Sequence, residues 1–266
     1  MTTSKEPVLW HYTSLESFRN IVKNGTIRAT HYQQLNDQSE LKKACDELHE
    51  RLDECSKKHK NDKRITHITE QSKGLLKAVK DWQCFIFSLS NSSPENSLSQ
   101  WRAYTPQDGG VAIGFSRDCL ENKLCGTTAE HGQIKLHQCL YEPLGDLDEK
   151  KLIDGYGFTD IISSVRFLFE QICAIKHKAY EDEAEWRLVF FNVPPGNRPF
   201  QLNERDRKFV EFQFDPLDFI KEIWISPHGN QRRIKSVIEF LIQEKRLSIE
   251  PHEICESNIP FRTSHY

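Results

Sequence analysis

Apolar residues recur along this chain in two rhythms, and the two predict different elements. Short alternating or continuous apolar runs read as strands at Leu9-Trp10-His11-Tyr12, 26–30, 82–89, 111–115, 134–141, 209–214 and 220–225. Longer stretches repeat every three or four residues and read as helices. Leu15, Phe18, Ile21 and Val22 make one stripe; Thr13 or Ser14 can cap it, Glu16 favours its first turn, and Asn24-Gly25 stops it. Two helices joined by a charged turn are expected between residues 40 and 80, and a short one over Ser97–Tyr104. A long one is expected from about Lys150 to Lys178, with Ile161, Ile162, Val165, Leu168 and Phe169 as its buried side, and a last one at about Gln231–Lys245. Loops fall at Gln33–Ser39 and Pro194-Pro195-Gly196-Asn197, and an extended piece closes on Ile259-Pro260-Phe261-Arg262. Strands and helices mix without a strict βα repeat. The expected class is therefore α+β, with a mixed, mainly antiparallel sheet and flanking helices. The chain reads as one domain over residues 1–266, with a helical insertion at about 40–80.

Composition narrows the function classes. Hydrophobic residues make up 37% and charged residues 28%, an ordinary soluble balance. No apolar run approaches a membrane span, and the first residues lack the apolar core of a signal peptide, so a cytoplasmic protein without membrane partners is expected. The net charge of −3 does not argue for nucleic acid. The basic run from Ser56 to Arg64 has no interleaved aromatic residue and reads as a solvated helix end, with a nucleic-acid contact as the lesser alternative. The eight cysteines form no Cys-x-x-Cys pair, so they read as buried small hydrophobes, with neither disulfides nor a metal expected. Gly109-Gly110 precedes a strand, whereas a phosphate loop follows one. Gly-x-Ser-x-Gly is missing, which weakens a serine hydrolase reading.

The chemistry concentrates in Glu183-Ala184-Glu185-Trp186-Arg187, at the mouth of the apolar run Leu188-Val189-Phe190-Phe191. In a strand, Glu183, Glu185 and Arg187 would share one face and Trp186, Leu188 and Phe190 the other. Two carboxylates and a guanidinium are costly to bury without a task or a partner. Either the segment is a catalytic site, or Glu185 forms an internal ion pair with Arg187 or a neighbouring strand. His11, between a strand and a helix cap, either faces a cleft or bonds to nearby backbone. Asn36, Asp37 and Glu40 read first as a turn and cap. Ser88 and Ser90 end a buried strand, and Trp101, Arg102 and Tyr104 follow; the aromatics could stack on a flat ring and the arginine could pair with a phosphate, or the helix could simply pack.

Several segments occur together in a recognisable order: Trp10-His11-Tyr12-Thr13-Ser14, Leu35-Asn36-Asp37 with Glu40, Phe87-Ser88-Leu89-Ser90, Ser97 to Tyr104, Gly110 to Phe115, Glu183 to Arg187, and Ile259-Pro260-Phe261-Arg262. Together they resemble the bacterial domain of unknown function 2971, a resemblance that implies no settled activity. More weakly, a strand-borne His, a middle aromatic or Ser segment and a late strand-borne Glu resemble the ADP-ribosyltransferase superfamily. That resemblance implies NAD as substrate, with His11 and Tyr12 on the nucleotide, Tyr104 or Ser88 as the middle element, and Glu183-x-Glu185 as the Glu-x-Glu, its second Glu catalytic. It makes Glu185, Glu183 and His11 the catalytic set, and His11, Tyr12, Ser88, Trp101, Arg102, Tyr104 and Arg187 the nucleotide-binding set. Three functions are weighed: an NAD-dependent ADP-ribosyltransferase or NAD glycohydrolase with an unknown macromolecular acceptor, in bacterial conflict or stress; a non-catalytic binding or regulatory module whose polar cluster is structural; and a metal-dependent nuclease built on Asp37, Glu40, Glu183 and Glu185.

Overall fold

A computed structural model describes residues 6–35, 38–78, 83–128, 132–141, 172–192, 201–203, 206–245, 247 and 253–261. Among the described residues, strand β3 (Gln83–Ser90) is the hub of a sheet of eleven strands. One edge of β3 pairs along its whole length with β7 (Glu185–Asn192), from Gln83 opposite Asn192 to Ser90 opposite Glu185. Its other edge is divided between two strands. β2 (Thr26–His31) takes one part, through Thr30 opposite Ile86 and His31 opposite Phe85. β1 (Val8–Ser14) meets β3 only where Trp10 lies opposite Ser90.

Beyond β1 the sheet runs through β4 (Gly110–Ser116) and β10 (Ile220–Ile225) to β11 (Ile254–Glu256). Beyond β2 it runs through β9 (Lys208–Gln213) to β8 (Gln201–Leu202), and beyond β7 through β6 (Gly132–Gln138) to β5 (Gly126–Thr128). The β10–β11 pair is parallel and the other strand pairs are antiparallel. The protein is thus α+β with a mixed, mainly antiparallel sheet, as its sequence pattern predicts.

Alternation assigns the faces. Leu9 of β1, Phe87 of β3 and Trp186, Leu188 and Phe190 of β7 join the main core. Helix α1 (Leu15–Asn24) adds Phe18, Ile21 and Val22 to it. Ser14 caps α1 by accepting a hydrogen bond from the Ser17 N–H, and Gly25, left-handed at φ 61°, ends it by returning its N–H to Ile21. Helices α2 (Gln38–Lys58) and α3 (Lys63–Ala78) follow β2. On the opposite face of β1, Trp10 and Tyr12 pack with Trp101 of α4 (Leu98–Tyr104). Helix α5 (Gln231–Lys245) returns Ile234, Ile238 and Leu241 to the main core. Among the described residues no helix is long and apolar enough to cross a membrane.

Two expected elements differ. The strand expected to include Glu183 begins at Glu185; Glu183 ends a 3-10 turn, Lys178–Glu183, and Ala184 is left-handed at φ 41°. A residue in that conformation breaks the two-residue alternation, so Glu183 is not held on the Glu185 face by strand geometry. Most of the long helix expected over 150–178 lies outside the described residues. At its described end Ile172 and Cys173 are helical and the chain then leaves the helix: Ile175 bridges Leu140 in parallel, and the Lys176 N–H donates to the Leu140 carbonyl at 2.9 Å. Trp82, the loop at 194–197, Asn36, Asp37 and Arg262 lie outside the described residues.

Candidate functional site

β1 and β3 share one residue pair and then part, and a cleft opens at this fork. The ring of His11 bridges the parting strands, with Nδ1 3.1 Å from the Ser88 carbonyl oxygen and the ring 4.3 Å from that of Phe87. A carbonyl only accepts, so Nδ1 carries the proton and the neutral ring keeps Nε2 as a lone-pair acceptor. Burial pushes the His11 pKa down to about 4, partly offset by the Ser88 bond, so the ring is neutral at pH 7. Trp10 and Tyr12 flank His11 on β1, and Ser88 and Leu89 line the β3 side. The cleft's cavity volume is about 60 Å³.

Helix α4 supplies the cover. Gln100 and Tyr104 are four residues apart, hence on one helical face, and both line the cleft. Trp101 points the other way, fully buried, and its Nε1–H donates to the Pro94 carbonyl at 2.9 Å. The Tyr104 hydroxyl donates to Glu183 Oε2 at 3.2 Å. Tyr12 is buried, and its hydroxyl lies near Ser97 without a hydrogen bond of normal geometry.

Behind the cleft lies a buried ionic network. Glu185 is 5% exposed. Its Oε1 accepts from Arg187 Nε at 3.0 Å, and its Oε2 from Arg187 Nη2 at 3.2 Å and from Lys176 Nζ at 2.7 Å. Lys176 Nζ also donates to Glu183 Oε2 at 2.5 Å, so one ammonium joins the two carboxylates. Arg187 Nη1 donates to the Cys173 carbonyl at 2.7 Å and the Ile175 carbonyl at 3.4 Å. The Glu185 N–H donates to the Tyr141 hydroxyl at 2.6 Å. Burial alone would raise the Glu185 pKa; Arg187 and Lys176 outweigh it and hold the carboxyl near 2 instead of its ordinary 4.5. Burial would equally discharge the Lys176 ammonium, but Glu185 and Glu183 reverse this and raise its pKa.

The structure therefore brings together His11, Tyr12, Ser88, Tyr104, Glu183 and Glu185 around one cleft. It does not bring the others to that surface. Trp101 is core, so it has no free face on which a ligand could stack. Arg102 projects from the far side of α4 and sits 5.7 Å over the Phe261 ring. Arg187 is buried behind Glu185 and does not line the cleft. Asp37 and the side chain of Glu40, two of the four carboxylates of the nuclease reading, lie outside the described residues. Among the described residues no group of three His, Cys, Asp or Glu side chains is arranged to hold a metal ion.

Sequence reasoning missed Lys176 and Gln100. Gln100 had a signal, its four-residue spacing from Tyr104. Lys176 had none, since it reaches the site through the long-range Leu140–Ile175 bridge.

Residues 100–188 match the family model described as Protein of unknown function (DUF2971). This bears out the resemblance read from the motifs, and the matched segment runs from Gln100 at the cleft cover to Leu188, one residue past Arg187. No curated protein and no solved structure matches the chain.

Proposed function

We propose that this protein cleaves the nicotinamide–ribose bond of NAD and passes the ADP-ribosyl group to an acceptor or to water. The observation that carries the reading is the content of one cleft: a neutral His11 whose Nε2 accepts, an aromatic Tyr104, and the carboxylate of Glu183. In this reaction the C–N bond breaks, its electron pair goes to the ring nitrogen, and neutral nicotinamide leaves. Positive charge develops on the ribose carbon, as in glycoside cleavage. A carboxylate beside that carbon stabilises the charge as it forms. The acceptor then bonds to the carbon and gives up its proton, which a carboxylate can take. His11 Nε2 suits a ribose hydroxyl. The cavity volume of about 60 Å³ has room for only the nicotinamide end of NAD, with the rest of the dinucleotide outside.

The network shifts the roles within the Glu-x-Glu. Both Glu185 oxygens are engaged by Arg187 and Lys176. On this reading Glu183 is the carboxylate at the reacting carbon, and Glu185 orients it through Lys176. The same observation favours a second reading, in which the cluster is architecture and the protein is a non-catalytic binding or regulatory module.

Calorimetric NAD binding and nicotinamide release, followed on wild type and Glu183→Gln, separate the two. The enzyme reading expects binding by both proteins and turnover lowered about 100-fold or more in Glu183→Gln. Wild type that releases no nicotinamide overturns it and leaves the module reading.

A further inference from the structure

The cleft has a one-sided electrostatic character. Its described lining contains two carboxylates, Glu183 and Glu185, and no lysine or arginine. The two cations of the network, Lys176 and Arg187, stand behind the carboxylates, each with a side chain no more than 3% exposed. The carboxylates differ in what they have left to offer. Glu185 has both oxygens bonded, whereas Glu183 uses Oε2 for Lys176 and Tyr104, and Oε1 takes part in no hydrogen bond or ion pair among the described residues. The Glu183 side chain is 15% exposed, so its oxygens have little water to turn to. Aromatic rings complete the lining: Trp10 and Tyr12 on the wall, and Tyr104, 41% exposed, at the mouth. Ring faces attract cations and carry no preference for anions.

We infer that this cleft is a subsite for a flat organic cation, and that Glu183 is the residue that selects the charge. It deepens the NAD reading, because oxidised NAD carries its positive charge on the pyridinium ring. It also adds a discrimination: a ring bearing a carboxylate, or an uncharged one, is disfavoured at this subsite. Burying a cation between ring faces is favourable only if a counter-charge meets it, and Glu183 Oε1 supplies one. An anion entering the same space meets Glu183 and has no cation on the described lining to pair with.

Three probes of one shape test this on the full chain: the 1-methylnicotinamide cation, neutral nicotinamide and anionic nicotinate, each titrated by calorimetry. Wild type is expected to bind the cation roughly tenfold more tightly than nicotinamide, with nicotinate weakest. Glu183→Gln should shrink the cation preference to about twofold or less. Tyr104→Ala, at an exposed position, should weaken the cation several-fold with the melting temperature unchanged. If Glu183→Gln fails to fold, the wild-type ranking and Tyr104→Ala decide the matter. Equal affinity for the three probes, binding of none of them, or a charge preference that survives both substitutions overturns the inference. NAD turnover without a charge preference would remove this inference and leave the enzyme reading. A charge preference without turnover would do the reverse.

Discussion

Glu185 is where the cost of a buried charge is most visible. Its carboxylate is offset by two cations and holds five other groups in register: Arg187, Lys176, Glu183, and the carbonyls of Cys173 and Ile175. Removing one charge from such a set leaves the others uncompensated, so Glu185→Gln should cost about 3–5 kcal/mol of stability. Denaturant unfolding measures this, and a loss below about 1 kcal/mol would mean that water already screens the network. The pH dependence follows from the same residues. His11 and His137 are held neutral by burial, with pKa values near 4 against an ordinary 6.5. Between those values the unfolded chain binds more protons than the folded one, so stability falls as the pH drops from 6.5 towards 4. Glu185 adds a second window: its folded value is depressed, so its contribution is complete above 4.5 and lost as the pH falls towards 2. Melting temperatures across acid pH should therefore fall in two stages, and Glu185→Gln should flatten the lower one while leaving the upper one.

At the scale of elements, close approach sets the limits. β4 runs between β1 and β10, and Gly114 sits opposite both Trp10 and Glu222. A Cβ added there would lie 2.7 Å from Val8 Cγ1 and 2.8 Å from Trp10 Cζ3. Gly114→Ala should cost about 1–3 kcal/mol by overpacking, read as a lowered denaturant midpoint, and should displace Trp10 at the cleft wall. A neutral effect would show that the β1–β4 spacing yields easily. Much at this scale was legible in the sequence. The Leu15, Phe18, Ile21, Val22 stripe, the Ser14 cap and the Asn24-Gly25 stop define α1 by local chemistry alone, and the short apolar runs locate β1 to β4 within a residue or two. The start of β7 was not legible. Alternation runs unbroken through Glu183, Glu185 and Arg187 in sequence, and nothing local says that Ala184 turns left-handed. The Asn91 N–H that donates to the Ala184 carbonyl comes from the far end of β3.

At the scale of the molecule, β3 is the strand on which the sheet depends, since β7 covers one edge while β1 and β2 share the other. Its central amides should exchange with solvent most slowly, near the rate of global unfolding, and those of the edge strand β8 much faster. Hydrogen exchange resolved by strand checks this, and β3 exchanging as fast as β8 would mean that the fork opens by itself. The sequence by itself determined the helix and strand periods, the caps, the α+β class, the family motifs and the two faces of β7, because each depends on neighbours within a few residues. It also marked Glu185 and Arg187 as charges needing a partner. Only the tertiary structure decided where those charges went. The single Trp10–Ser90 pairing opens the cleft, the Leu140–Ile175 bridge delivers Lys176 between Glu183 and Glu185, and the packing of α4 sets Tyr104 at the cleft mouth and Trp101 in the core. Those contacts join residues far apart in the chain. Their energy comes from burial and from charges meeting across the fold, and no local rhythm of hydrophobic and polar positions encodes it.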